Sequence, residues 1–203
     1  MALEIELKLI FPAEALPAIM AHPLIAGAPQ EGTPGVLKST YFDTPDQMLR
    51  SHGVGLRLRQ QPAGAVQTVK SAGTSSGGLS RRLEWETPWT GAFDFSGVSD
   101  PATAALLDGV KDGLVPVFVT CFHRETRRIQ IGPGAAVLVM IDTGHIEAGE
   151  ETAPIHELEL ELAGGNEDEL FRIAGTLQKD LPLTAGNVSK AQRGYRLACK
   201  RFC

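Results

Sequence analysis

Charged side chains recur at every second position in four short segments of the sequence. These segments are residues 4–8 (EIELK), 56–59 (LRLR), 82–86 (RLEWE) and 157–162 (ELELEL). Because successive side chains of a β-strand point to opposite faces, each segment predicts a strand with its charges on one face and its apolar residues on the other. Clustered carboxylates suit divalent cations such as Mg²⁺, and clustered arginines suit phosphate oxygens.

A half-exposed antiparallel strand with its polar face in water shows the same alternation, and for a single strand that is the better interpretation. Four strands that each place like charges side by side, about 6.5–7 Å apart, are harder to explain in this way. Like charges repel unless something neutralises them. Glu clusters that face Arg and Lys clusters inside a barrel would neutralise each other in part, and divalent cations and an anion would supply the remainder. We therefore predict a charged lumen and an apolar outer surface.

The same alternation predicts eight strands and few helices. The strands are expected at residues 3–10, 37–43, 54–60, 65–70, 80–88, 116–131, 136–147 and 154–163. Helices are expected at residues 13–21, 101–108 and 167–180, the last with Asn166 as its N-cap, and residues 188–200 are expected to form a helix or a strand. The fold class is therefore α+β and mainly β, a closed eight-stranded antiparallel β-barrel (a tunnel) with a polar lumen and helices packed outside.

One connection stands out by its composition, the Gly- and Ser-rich segment 71–79 (SAGTSSGGL). We interpret it as a flexible hairpin loop, with a mobile lid over a ligand as the alternative. No shift in composition marks a domain boundary, so residues 1–203 are expected to form a single domain.

Composition limits the function classes. The 203 residues carry 24 Asp and Glu against 19 Lys and Arg, a net charge of −5, which argues against a nucleic-acid partner. No stretch approaches the ~20 apolar residues needed to cross a bilayer, and charges at the N-terminus argue against a secretory signal, so we expect a cytoplasmic protein with no membrane partner. Cys121, Cys199 and Cys203 indicate neither disulfides nor a zinc site, and the five histidines show no metal or catalytic spacing.

The charged segments resemble, in order along the chain, those of the CYTH superfamily, also called triphosphate tunnel metalloenzymes. The first segment fits the ExExK signature of that family. The others follow as YFDTP (41–45), LRLR (56–59), TVK (68–70), RLEWE (82–86), FVTCFHR (118–124), IDTG (141–144), ELELEL (157–162) and SKAQRGY (189–195). The resemblance covers nearly the whole chain and is greatest to the bacterial inorganic triphosphatase branch.

This resemblance implies roles for individual residues around a triphosphate and Mg²⁺ or Mn²⁺, with two ions expected. Glu4, Glu6, Lys8 and Glu159 would be catalytic. The metals would be held by Glu4, Glu6, Glu157, Glu159 and Glu161. The phosphate oxygens would be bound by Lys8, Arg57, Arg59, Lys70, Arg124 and Lys190. Glu84, Glu86 and Asp142 would support the lumen, with Arg82, Arg128 and Arg193 as further candidates.

The residue types suit that chemistry, because a triphosphate with about four to five negative charges needs several fixed cations. Phosphoryl transfer requires positioning and charge stabilisation more than a Ser, Cys or His nucleophile.

Three functions remain open: hydrolysis of inorganic triphosphate; action on an organic triphosphate, including thiamine triphosphate hydrolysis and class IV adenylate cyclase activity; and non-catalytic binding of polyphosphate or another small polyanion. Aromatic residues are only 6% and form no base-stacking cluster, and the segment before ExExK is shorter than is typical of the cyclases, which favours inorganic triphosphate. A homodimer stays open, as does a second helical, His-rich domain, which related bacterial proteins often carry after the tunnel.

Overall fold

Eight antiparallel strands close into a barrel in the computed structural model of the chain, which describes residues 2–61 and 64–199. The barrel strands are β1 (Ala2–Ile10), β2 (Gly35–Asp43), β3 (Gly55–Gln61), β4 (Gly64–Lys70), β6 (Leu79–Pro88), β7 (Val115–Gly132), β8 (Ala135–Ala148) and β9 (Glu151–Gly164). They pair in the order β1–β9–β8–β7–β2–β3–β4–β6, and β6 pairs with β1 to complete the ring. The predicted closed eight-stranded antiparallel barrel is confirmed.

Two further strands are short. β5 (Thr74–Ser76) lies inside the predicted loop 71–79 and pairs with β6, and β10 (Thr184–Ala185) pairs with the end of β1. Residues 74–76 of the predicted loop therefore form an edge strand of the sheet. The lid alternative stays a prediction.

The helices are α1 (Leu16–Ala21), α2 (Pro23–Ala26), α3 (Met48–Ser51), α4 (Pro101–Val110), α5 (Asp168–Asp180) and α6 (Lys190–Cys199), with 3-10 turns at Ala13–Ala15 and Lys111–Gly113. The helix predicted at 13–21 is thus a 3-10 turn followed by α1. Of the segment 188–200, predicted as a helix or a strand, Lys190–Cys199 forms the helix α6, and position 200 lies outside the described residues. The N-cap residue of α5 is Glu167 and not the predicted Asn166, and the Asn166 side chain, one residue earlier, accepts the N–H of Asp168 at 3.0 Å.

The apolar faces of the strands point away from the lumen and are covered by helices. Leu158 and Leu160 of β9 are fully buried in a cluster that includes residues of α1, α2 and α5. On the opposite side Trp85 of β6 packs with Leu107 of α4, as its position in the alternation predicts. Each such buried side chain contributes roughly 1.5–3 kcal/mol of hydrophobic free energy, so the barrel is stabilised mainly from outside.

Helix α6 closes one end of the lumen. Its residues Tyr195 and Leu197 are buried in a cluster with the inward-facing Tyr41, Phe118 and Phe122. The lumen is therefore apolar at this end and charged along the rest of its length. Among the described residues no helix has the length and apolar character needed to cross a membrane.

Candidate functional site

A cavity of about 1030 Å³ runs through the charged part of the lumen. The predicted site residues that line it are Glu4, Glu6, Lys8, Arg57, Arg59, Lys70, Glu84, Glu86, Arg124, Glu159, Glu161 and Lys190. Asp142 and Glu157 do not line the cavity and are almost fully buried behind it. The antiparallel register accounts for this convergence, since it pairs Glu6 with Glu161 and Lys8 with Glu159 across neighbouring strands.

Three carboxylates, Glu4, Glu6 and Glu161, form an acidic cluster at one part of the lumen. Glu4 is held by Lys70 Nζ at 2.7 Å and by Arg82 Nε at 2.7 Å. Burial would raise the pKa of Glu4, but these two cations lower it to about 2. Arg82 Nη2 also donates to Glu6 at 2.9 Å, yet burial and the charge of Glu159 raise the pKa of Glu6 above its usual value.

Glu161 differs from Glu4 and Glu6 in its neighbours. No Lys, Arg or His nitrogen in the described part of the chain lies within 4.0 Å of its carboxylate. Burial, followed by the charges of Glu4 and Glu6, raises the pKa of Glu161 to about 7. A carboxyl group in this position has more negative charge around it than the protein neutralises.

The acidic cluster fits a divalent cation by its donor chemistry. Carboxylate oxygens are the ligands that Mg²⁺ and Mn²⁺ prefer, and the raised pKa values of Glu6 and Glu161 indicate that a further positive charge would be stabilised there. Within residues 2–61 and 64–199, however, no three acidic, His or Cys side chains are already arranged around a common metal position. Arg82 and Lys70 occupy oxygens that a metal would need.

A cationic wall faces this cluster, made of Arg57 and Arg59 of β3, Lys70 of β4 and Arg124 of β7. Burial, followed by the charges of Arg57 and Arg124, lowers the pKa of Arg59 to about 10. Its Nε donates to Ser39 Oγ at 3.3 Å, and no described carboxylate lies within ion-pair distance of its guanidinium. Arg57 is 3.5 Å from Glu84, and its Nε lacks a hydrogen-bond partner among the described groups.

A buried ionic network lies between the lumen and α6. Lys190 Nζ is 2.7 Å from Asp142, 2.7 Å from Glu157 and 2.8 Å from Glu159. The ammonium group donates hydrogen bonds to Glu157 and Glu159, and the Asp142 carboxylate lies within ion-pair distance of it. Arg124 adds two bonds to Asp142 and one to Glu159, and this network attaches the start of α6 to the inner wall.

The remaining candidates occupy different surroundings. Lys8 is buried, 3.5 Å from both Glu157 and Glu159, and Arg193 donates to Glu157 at 2.9 Å.

Glu84 pairs with Lys70 at 3.0 Å, and Glu86 accepts the Thr68 hydroxyl at 3.1 Å. Arg128, in contrast, does not line the cavity and lies 3.5 Å from Glu31 at the protein surface. Cys121 and Cys199 are free thiols, and Cys203 lies outside the described residues.

Sequence reasoning assigned no role to Tyr41, Asp43 or Tyr195, although two quoted motifs contain them. The buried Asp43 accepts the N–H groups of Leu49 and Arg50, which holds α3, and accepts the Tyr195 hydroxyl at 2.8 Å. These bonds connect the YFDTP and SKAQRGY segments. Their positions beside charged motifs were the available signal, but their partners are distant in the sequence.

The CYTH domain family matches residues 2–195 of this chain. The chain belongs to the CYTH domain family. It is also 34% identical to the inorganic triphosphatase of Haemophilus influenzae over an alignment of 173 residues. This alignment covers 82% of this chain and 47% of the Haemophilus protein. The chain thus spans about half the length of this curated relative.

Solved structures share the CYTH barrel. A Hippeastrum protein, reported as a candidate adenylyl cyclase with a dominant triphosphatase activity, superposes with a TM-score of 0.67 at 21% identity and 95% coverage of both chains. A candidate adenylate cyclase of Bacillus halodurans gives 0.57 at 19% identity, covering 95% of this chain and 98% of that one. The PH1819 protein of Pyrococcus horikoshii gives 0.53 at 17% identity, covering 98% and 99%. At these identities the likeness concerns the fold alone.

Proposed function

We propose that this CYTH domain hydrolyses inorganic triphosphate to diphosphate and phosphate, with Mg²⁺ or Mn²⁺ bound in the tunnel. The observation that carries the proposal is the pair of unbalanced charges in one cavity. Both groups line the cavity, yet among the described residues no carboxylate lies within ion-pair distance of Arg59 and no cation lies within that distance of Glu161. A metal–polyanion complex would supply both missing charges. The curated relative, an inorganic triphosphatase, supports the same substrate.

On the acidic side, Glu4, Glu6 and Glu161 would hold the metal together with Glu159, which lies on the same strand face as Glu161. Two ions remain our expectation. When bound, a divalent ion neutralises charge on the phosphoryl group and lowers the pKa of a coordinated water. Glu157 is engaged by Lys190 and Arg193, so we propose that it supports this set from behind the cavity.

On the cationic side, Arg57, Arg59, Lys70 and Arg124 would bind the phosphate oxygens, with Lys8 beside the metal-holding carboxylates. Arginine offers paired donors in a fixed geometry, which orients a phosphate for in-line attack. The resemblance also assigns Lys190 to phosphate. Since Lys190 is buried and donates to Glu157 and Glu159, we propose that it positions these two carboxylates.

The test is phosphate release from inorganic triphosphate, ATP, GTP and thiamine triphosphate, measured with Mg²⁺, with Mn²⁺ and with EDTA. The variant Arg59→Ala removes the unpartnered cation, and we expect its metal-dependent turnover of triphosphate to fall by about 10²–10³-fold. Lys38→Ala is the matched control, because Lys38 is an exposed cation on β2 that points away from the lumen. Its turnover should equal that of the wild type.

Other outcomes would select the other functions. Cyclic AMP formation from ATP, or a higher kcat/KM for a nucleoside or thiamine triphosphate, would assign an organic substrate. Tight triphosphate binding without phosphate release under any metal condition would assign a binding module. The single domain over 1–203, the cytoplasmic location, the absence of a nucleic-acid or membrane partner and a homodimer stay predictions.

A further inference from the structure

Arg82 occupies a position that the proposed hydrolysis does not explain. It lies on β6 directly across from Glu4 of β1, and its guanidinium bridges two carboxylates of the acidic cluster. Nε is 2.7 Å from Glu4 Oε2, and Nη2 is 2.9 Å from Glu6 Oε1. One side chain therefore contacts both acidic residues of the ExExK segment.

These contacts use the oxygens on which a divalent cation would depend. Glu6 has Arg82 as its one cation within ion-pair distance among the described side chains, together with the Ser80 hydroxyl at 3.3 Å. Glu4 has a second cation, Lys70. A metal bound to Glu4 and Glu6 and a guanidinium bound to the same atoms would repel each other at close range. The two cations therefore compete for one set of carboxylates.

Arg82 also has an alternative partner within the same cavity. Its side chain lines the lumen and is 21% exposed, unlike Lys190, which is enclosed by its three carboxylates. A guanidinium binds a phosphate as well as it binds a carboxylate, through two parallel N–H bonds. An anion placed between the acidic cluster and the cationic wall would thus offer Arg82 new acceptors when a metal displaces it.

We propose that Arg82 is a resident counter-ion, which holds Glu4 and Glu6 in the metal-free tunnel and passes to a phosphate group of the substrate when the metal enters. It couples the two ligands. The metal binds weakly while Arg82 remains on the carboxylates, and the anion strengthens metal binding by drawing Arg82 away. By linkage, the metal strengthens anion binding through Arg82 by the same factor.

The test measures Mn²⁺ affinity by titration calorimetry or by the electron paramagnetic resonance of free Mn²⁺, so it does not depend on turnover. The variant is Arg82→Gln, and the control is Arg81→Gln. Arg81 is the neighbouring residue, its side chain lies on the opposite face of β6 from that of Arg82, and its guanidinium pairs with Glu167 at 2.6 Å rather than with the acidic cluster, so its removal changes the net charge equally. Each protein is titrated alone and with a non-hydrolysable imido analogue of triphosphate.

We expect Arg82→Gln alone to bind Mn²⁺ about tenfold or more tightly than the wild type, within the usual range of coupling between sites. The analogue should then strengthen Mn²⁺ binding less than it does in the wild type, and Arg81→Gln should behave as the wild type. Equal or weaker Mn²⁺ binding by Arg82→Gln, with Arg81→Gln unchanged, would overturn the inference.

A second variant, Arg82→Lys, keeps the charge but loses the two-pronged donor, and a melting curve for each variant reports on folding. If Arg82→Gln does not fold, Arg82→Lys must still bind Mn²⁺ more tightly than the wild type, since a single ammonium holds two carboxylates less firmly; equal or weaker binding refutes the inference. The inference assumes the metal role proposed above for Glu4 and Glu6. Absence of Mn²⁺ binding by the wild type, even with the analogue, would refute that role, whereas equal affinities in wild type and Arg82→Gln would refute only the part played by Arg82.

Discussion

Replacement of Lys190 by methionine tests whether the buried ionic network attaches α6 to the barrel. The Lys190 ammonium contacts Asp142, Glu157 and Glu159 at 2.7–2.8 Å, and its side chain is only 10% exposed. Methionine preserves much of the volume but removes the charge. Three buried carboxylates then lose a common partner. Arg124 remains on Asp142 and Glu159, Lys8 remains 3.5 Å from Glu157 and Glu159, and Arg193 remains on Glu157.

The expected magnitude follows from the burial of the group. Removing one partner of a buried ion pair costs about 3–5 kcal/mol, which for a chain of this size lowers the melting temperature by about 6–20 °C. Urea unfolding in EDTA near neutral pH measures this loss without any contribution from metal. Lys179→Met is the matched control, because Lys179 is exposed on α5 and its replacement should change stability by less than about 0.5 kcal/mol.

The loss should also depend on pH. Burial would raise the pKa of Glu159, but Lys190 and Arg124 hold it well below its ordinary value of 4.5. A carboxyl with a lowered pKa contributes stability that is present above its unfolded-state pKa and is lost as the pH falls towards the folded-state value. Lys190 has a raised pKa, so its contribution is complete at every pH below about 10. The difference between wild type and Lys190→Met should therefore be full near pH 7 and should narrow as the pH falls below 4.5.

Two results would refute this reasoning. One is a loss of less than about 1 kcal/mol near neutral pH, which would mean that water or the remaining arginines compensate the carboxylates. The other is a loss that does not change between neutral pH and pH 4. The double variant Lys190→Met, Glu159→Gln should recover part of the stability, with a coupling energy of about 0.5–3 kcal/mol.

Three further substitutions test the packing of α6, with a control on α5, and the charge of the acidic cluster. Gly194→Ala places a Cβ 2.3 Å from the Phe118 ring, so it should lower the free energy of unfolding by about 1–3 kcal/mol. Gly175→Ala on α5 meets nothing within 4 Å and should raise it by up to about 1 kcal/mol in the same urea assay. Glu161→Gln should stabilise the metal-free protein by about 1 kcal/mol or more at pH 8, after allowance for solvent screening. The reason is that a carboxyl whose pKa is raised to about 7 destabilises the folded state as the pH rises above its unfolded-state value of 4.5.

A different result would contradict each of these predictions. Equal effects of the two glycine substitutions would mean that α6 shifts away from the barrel without loss of stability. If Glu161→Gln is not more stable than the wild type at pH 8, or if its advantage is as large at pH 5, the raised pKa is not the cause.

Much of the barrel could be predicted from the alternation of apolar and charged residues. The strand predicted at 3–10 is β1, and that at 116–131 is β7, each within two residues at either end. Prediction worked here because a strand with an outer face covered by helices and an inner face lined by charges has a strict period of two. The helices were harder to predict. The short α3 depends on hydrogen bonds from the buried Asp43, which local propensity does not contain.

The candidate site likewise has features that could be predicted from the sequence and features that could not. That Glu4, Glu6 and Glu161 share the lumen follows from their strand positions and was predicted. The register between β1, β6 and β9 places Arg82 on Glu4 and Glu6 and leaves Glu161 with no described cation within ion-pair distance.

Side-chain direction in a strand is a local property of the backbone, so the class of fold, the charged lumen and the sets of residues that face it are predictable from the amino-acid sequence. Which charges neutralise one another is set by the folded barrel. Lys190, near one end of the described chain, contacts Glu159 on β9, whereas no described carboxylate lies within ion-pair distance of Arg59. Ion pairing depends on distances of a few ångströms between strands that are far apart in the sequence, and the closure of the barrel sets those distances.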